Sequence, residues 1–395
     1  MEQKEIIIVG GGISGLSLAF YCARAGMHTT LLEKEERVGG AFHSHRDGDF
    51  WLELGAHTCY NSYANLLGIV EQCQTDQLMV QREKVPFKML VDDEIRSIFS
   101  QISYPELLLS VPKLPFQNKQ LHSVASYYGA ILGKQNYQRV FRHFFNAVPS
   151  QSCDDFPADI LFKSRTRRKD HFRSYTFTGG LEAVVDGIVR KGEIQILTGQ
   201  TIESIERSGG SYSVTMGDGS HIEAGTLALA TPAPVTARLL QSMQPEVSQL
   251  LSKISIAKVN STGVVVHKKL LHLKPVAGII SADDLFYSAV SRDTVSDEQF
   301  RGFTFHFKPD VVDEKLRLDR IAEVLGVPSN QFEQVVWKSN LLPSLKVGHA
   351  KLVQEIESHL EQRHLLLTGN YFAGVAIEDC VSRSLQEFSR LAGVD

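Results

Sequence analysis

The chain has 395 residues, 43% hydrophobic and 22% charged, with a formal net charge of −4 at pH 7. This is the profile of a globular protein with room for two or three domains, and it gives nucleic acid no basic surface to bind. Five dispersed cysteines (Cys22, Cys59, Cys73, Cys153, Cys380) without a CxxC pair speak against a disulfide framework and a zinc site, and for a reducing, cytoplasmic setting.

In chain order, MEQKE leads without a signal-peptide pattern into a buried strand at 6–9, a helix at 14–25 and a strand at 28–34, the start of a βαβ unit. From about 65 to 175 the pattern turns mostly helical. Within it, YPELLLSVPKLPF (104–116) is apolar but far short of the ~20 residues that span a bilayer; it reads as core, ahead of a shallow membrane contact. The basic run KSRTRRKDHFR (163–173) reads as a solvated face. Strands return from 175, with hairpin turns at Gly209-Gly210 and 217–220. Further strands follow at 260–268 and 301–307, then a helix at 311–325, a strand at 364–370 and a last helix from about 377. Repeats and low-complexity tracts are absent from the sequence.

The chemistry starts in the first loop. Gly10-Gly11-Gly12-Ile13-Ser14-Gly15 follows a strand and opens a helix. Its first glycine permits the turn, the second admits a pyrophosphate, and the third lets helix and strand pack closely. The helix N-terminus offers free N–H groups and partial positive charge to phosphates. Glu33 ends the second strand, where a carboxylate accepts from a ribose diol. These residues point to a dinucleotide and leave NAD and FAD both open.

A second glycine pair, Gly39-Gly40, and a strand ending at Gly55 lie in EKEERVGGAFHSHRDGDFWLELGAH (33–57). This resembles the extended FAD signature of the flavin amine oxidase superfamily, with Ala41 where an arginine is common. YTFTGGLEAVVDGIV (175–189), NLLPSLKVGHAKLVQEIESHL (340–360) and LLLTGNYFAGVAIEDCVSRS (365–384) are similar, in that order, to segments of the protoporphyrinogen oxidase family. The resemblance implies FAD contacts at Gly10 to Gly15, Glu33, Gly40, Ala41, Gly55, Ala56, His57, Thr58, Ile202, Gly369, Val375, Ala376 and Ile377. It implies substrate contacts at Lys88 and Tyr287, with Arg96 a competitor to Lys88, and it nominates no acid–base pair and no metal ligand.

The fold so implied is α/β (α+β). A Rossmann-like FAD-binding domain is assembled from residues 1–70, 175–250 and 350–395, and a sheet-containing substrate domain from 71–104 and 251–349. A helical insertion at 105–174 is a candidate membrane contact, so the chain is expected in the cytoplasm or peripheral to a membrane. The implied reaction is hydride transfer from a porphyrinogen-like substrate, apolar with carboxylates, to flavin N5, with molecular oxygen as acceptor. Three alternatives stand beside it: a flavin amine oxidase, a carotenoid desaturase, and a flavoprotein without redox turnover. Against the amine oxidases, Asn260 or Ser261 stands near the place of their lysine, and Val375 and Ala376 replace an aromatic residue.

Overall fold

The computed structural model describes residues 4–360 and 364–393. Two sheets organise it. The first is a five-stranded parallel sheet in the order Gln195–Leu197, His28–Leu32, Glu5–Val9, Thr226–Leu229, Leu365–Leu367. Its central strands are near-continuous aliphatic runs, as a sheet covered on both faces requires. Ile6 and Ile8 join Leu16, Phe20 and Ile188 on one side, while Ile7, Val9 and Leu227 join Leu240, Val247 and Leu251 on the other. The helix Ile13–Arg24 lies on the first face against the last helix, Ile377–Ala392. There the buried Ser384 hydroxyl donates to the Ser14 carbonyl at 2.7 Å.

The second sheet has seven strands, in the order Gln334–Ser344, Ser255–His267, Phe300–Phe307, Phe286–Ser291, Gly278–Ser281, Phe87–Val91, Glu94–Ser97. Val264, Val266, Phe303, Phe305 and Phe307 pack from one face against Ile321 and Leu325 of the helix Glu314–Leu325. The opposite face carries two glycines where the hairpin Ser44–Asp47/Phe50–Glu53 presses in. A Cβ at Gly263 would stand 2.8 Å from both Leu52 and Leu54, and one at Gly302 would stand 2.8 Å from Leu52. Thr304 also donates to the Glu53 carbonyl at 2.6 Å. The two halves of the molecule are joined through this seam.

Three local expectations need correction. The stretch 79–97 contributes the strands Met79–Gln81, Phe87–Val91 and Glu94–Ser97 rather than helix, because distant strands supply their partners. Residues 104–116 are not core: Leu108 and Leu109 are 74% and 77% exposed. The basic run is a solvated face only in part, with Arg167, Lys169 and Arg173 exposed. Lys163 and Arg165 pair with the buried Asp379, and Arg168 pairs with Glu71.

Candidate functional site

The glycines of the first loop divide by what a side chain would meet. Gly10, at φ +107°, would drive a Cβ to 2.7 Å from the Ala230 carbonyl oxygen, and Gly15 to 1.9 Å from that of Gly10. These two are required by the protein's own packing. Gly12 is different: a Cβ there has nothing within 4 Å. Gly12 is also the N-cap of the helix Ile13–Arg24 and offers no side-chain cap, so the first-turn N–H groups at Ile13 and Ser14 are left to a ligand or solvent. A helix N-terminus with unsatisfied donors and a bare approach fits a pyrophosphate.

Glu33 stands at the rim of this opening. One carboxylate oxygen accepts the Gly11 N–H at 2.7 Å and the other accepts the Glu35 N–H at 2.9 Å. Each retains a lone pair for a ribose hydroxyl. Ile202 is brought to the same end of the sheet, since the Gln200 N–H donates to the Glu33 carbonyl at 2.8 Å. The Ile202 carbonyl accepts from Arg238 at 3.3 Å.

The second glycine pair closes over the first loop. Gly39 N–H donates to the Gly11 carbonyl at 2.7 Å, and a Cβ on Gly40 would lie 3.1 Å from Gly12 Cα. Ala41 then accepts from Ala56 N–H at 3.0 Å, and Gly55 leaves no room for a Cβ against the Ala41 carbonyl. The segment Gly55–Ala56–His57–Thr58 is thereby laid beside the loop. His57 and Thr58 meet across 2.7 Å, and Arg82 donates to the Thr58 hydroxyl. Thr58 accepts from Arg82 and has its own proton for His57 Nδ1. Burial, then the Arg82 charge, pushes His57 down to about 3, so it works as a neutral ring at ordinary pH.

Facing this segment across the seam, Ser261 and His306 pair at 2.9 Å. Burial pushes His306 down to about 4. Glu53, just ahead of Gly55, is pushed up to about 7 by burial, against hydrogen bonds from Leu181 N–H (2.7 Å) and the Ser44 hydroxyl (2.8 Å).

At the other end, Gly369 would carry a Cβ into the Tyr371 ring, and the chain turns through Val375 to Ala376, the N-cap of the last helix. That N-cap also lacks a side-chain bond, so Ile377 opens a second helix with free N–H groups. The first-turn acids look elsewhere. Glu378 accepts the Asn65 and Leu66 N–H groups at 2.9 and 3.2 Å, and Asp379 takes Lys163 and Arg165.

The two expected substrate residues are not brought together. Tyr287 lines a cavity of ≈ 170 Å³ between the helix Arg142–Ala147 and the second sheet, with Arg142, His143 and Lys308. Lys88 sits two strands further out, paired with Ile279 and on the same face as Leu90, the face covered by the helix Glu314–Leu325. Arg96 is held by Glu94 at 2.9 Å. Arg82, Glu53 and His306 were missed by sequence reasoning. Isolated polar residues in strands carry no local signal, and only the strand pairing assembles them.

The model of the family described as flavin containing amine oxidoreductase matches residues 13–387. The coproporphyrinogen III oxidase of Bacillus subtilis (strain 168) is 19% identical over 464 residues, covering 96% of each chain. Among solved structures, a candidate protoporphyrinogen oxidase from Exiguobacterium sp. 255-15 superposes with a TM-score of 0.80 at 18% identity, covering 98% of each chain. A fatty acid isomerase from P. acnes superposes with a TM-score of 0.77 at 18% identity, covering 99% of each; both likenesses concern the fold. The chain therefore belongs to the flavin containing amine oxidoreductase family, as an FAD-dependent oxidoreductase with the protoporphyrinogen oxidase-like fold.

Proposed function

We propose that the chain oxidises a porphyrinogen-like substrate, apolar with carboxylates at its rim, with molecular oxygen as the final acceptor. In this reading FAD is held by Gly10 to Gly15, Glu33, Gly40, Ala41, Gly55 to Thr58, Ile202, Gly369 and Val375 to Ile377. When bound, FAD supplies the hydride acceptor at N5. The protein's share is to orient substrate and exclude water. The neutral His57 and the Ser261–His306 pair suit that task, since they put hydrogen-bonding groups but no mobile charge near the reaction.

The observation that carries the reading is the end-to-end relationship with a coproporphyrinogen III oxidase. The cavity at Tyr287 supports a contact with the rim of such a substrate, because Tyr287 gives an apolar wall and Lys308 a cation for a carboxylate, beside Asp283 and an Arg142 that is paired with Asp154. Amine oxidation is disfavoured by the same structure. Asn260 is tied to Ser339 and Ser261 to His306, Lys258 is exposed, and Tyr371 is packed in the core at 1% exposure.

The exposed Leu108, Leu109 and Leu114 beside Lys113 support a shallow contact of the insertion with lipid; among the described residues no helix is long and apolar enough to cross a membrane. The deciding experiment is anaerobic mixing of the holoprotein with protoporphyrinogen and, separately, coproporphyrinogen. Flavin bleaching with the appearance of porphyrin fluorescence is the expected result. If neither reduces a flavin that dithionite bleaches, the substrate assignment is wrong.

A further inference from the structure

A small, partly open cavity lies beside the Gly55–Thr58 segment. Glu53, His57, Arg82, Thr176, Arg292 and Thr294 are among its walls. Its volume of ≈ 30 Å³ is well below that of the cavity at Tyr287.

Two guanidinium groups border this space without a carboxylate partner. Arg82 donates only to hydroxyls, those of Thr58 and Thr294. Arg292 donates from Nη1 to the Val295 carbonyl at 2.8 Å, and its guanidinium lies 4.4 Å from the Phe50 ring and 4.0 Å from that of Trp51. The enclosed Arg292 Nε and the enclosed Thr176 hydroxyl have no hydrogen-bond partner among the described residues. Glu53 and Asp297 are near enough for their charge to be felt, yet neither forms an ion pair with Arg82 or Arg292. The Glu53 oxygens accept from Leu181 and Ser44, one each, and Asp297 accepts from the Gln299 and Phe300 N–H groups.

Arginine does not relieve burial by losing its proton. A water in the cavity would satisfy Nε and the hydroxyl but add no charge, and the single carboxyl in the wall, Glu53, cannot balance two guanidinium groups. The planar two-oxygen carboxylate matches a guanidinium fork in shape and size. We propose that Arg82 and Arg292 hold a single carboxylate in this cavity, against the neutral face of His57. The site recognises one acid head group. It is separate from the cavity at Tyr287, and its existence does not depend on porphyrinogens being the substrate.

The test uses the oxidised holoprotein at constant ionic strength. Thermal melting and the flavin absorption spectrum are followed during titration with formate, propionate and octanoate, with propionamide as the neutral isostere. Propionate is expected to raise the melting temperature saturably and propionamide to leave it unchanged. Arg82→Gln is expected to weaken propionate binding about 30-fold or more. Arg292→Lys, which keeps the charge but loses the fork, is the second variant should Arg82→Gln fail to retain flavin. Affinity rising from formate to octanoate identifies the occupant as the head of a longer organic acid, and affinity confined to formate and propionate identifies a free small anion. Equal effects of propionate and propionamide, or no effect of any acid, overturn the proposal.

Discussion

Gly12→Ala separates a glycine kept for a ligand from a glycine kept for packing. At φ −72° and ψ 177° alanine sits in ordinary extended backbone, and its Cβ meets no protein atom within 4 Å. Restricting the unfolded chain gains about 0.4–1 kcal/mol, and the poorer N-cap costs about 0.5–1 kcal/mol. The apoprotein should therefore stay within about 1 kcal/mol of the parent. The cofactor meets the methyl group instead: crowding of about 1–3 kcal/mol raises the FAD dissociation constant roughly 5- to 150-fold.

Gly15→Ala is the contrast. Its Cβ falls 1.9 Å from the Gly10 carbonyl oxygen, and ordinary contact begins at 3.4 Å, so helix and loop must part by about 1.5 Å at a cost of about 1–3 kcal/mol. That variant loses stability with or without cofactor. Apoprotein melting and FAD titration by fluorescence quenching measure both quantities. If Gly12→Ala binds FAD as tightly as the parent, or destabilises the apoprotein as much as Gly15→Ala does, the reasoning about the open cradle is refuted.

Three further outcomes follow from the buried titrating groups and the helix caps. Glu53 has its native pKa raised from 4.5 to about 7, so its contribution is complete below pH 4.5 and is lost as pH rises through 7, by at most about 3 kcal/mol given its residual exposure. Glu53→Gln should therefore gain on the parent between those limits, and coincident urea midpoints at pH 4.5 and 8 would contradict this. His43, His57 and His306 are lowered from 6.5 to about 4, 3 and 4, burial being the main cause. The unfolded chain binds their protons first, so stability falls as pH drops from 6.5 towards 4; His306→Gln should make the acid-unfolding profile shallower. Glu378→Ala leaves the Asn65 and Leu66 N–H groups of the helix Ala64–Gln72 without an acceptor, costing about 1–3 kcal/mol in thermal melts, with Glu378→Gln recovering part of it.

What the sequence disclosed was local. Gly10 to Gly15 and Glu33 lie within one βαβ unit, where spacing alone implies the turn, the helix N-terminus and the ribose acceptor. His57 and Thr58 were named only through family resemblance. Arg82 comes next to Thr58 and Thr294 because the strand Met79–Gln81 pairs with Ser174–Phe177, and Arg292 follows a strand of the second sheet. Their proximity is a property of strand order. Lys163 and Arg165 look like a solvated run because their partner, Asp379, lies more than 200 residues away. The face occupied by Lys88 depends likewise on the register with Ile279, which one residue of slippage would reverse.

The order of strands in the parallel sheet also sets a timetable. The glycine loop leaves the ribosome about 350 residues before the strand at Leu365–Leu367 and the helix at Ile377–Ala392, which cover and brace it. At ~5–20 residues per second the interval is roughly 20–70 s. For that time the nascent chain presents a nucleotide cradle without its far wall. Closure of the cofactor cradle, and with it durable retention of FAD, therefore trails synthesis of the glycine loop by that interval. Lesions that remove the strand Leu365–Leu367 and the helix Ile377–Ala392 should yield colourless protein even though every residue of the glycine loop is intact.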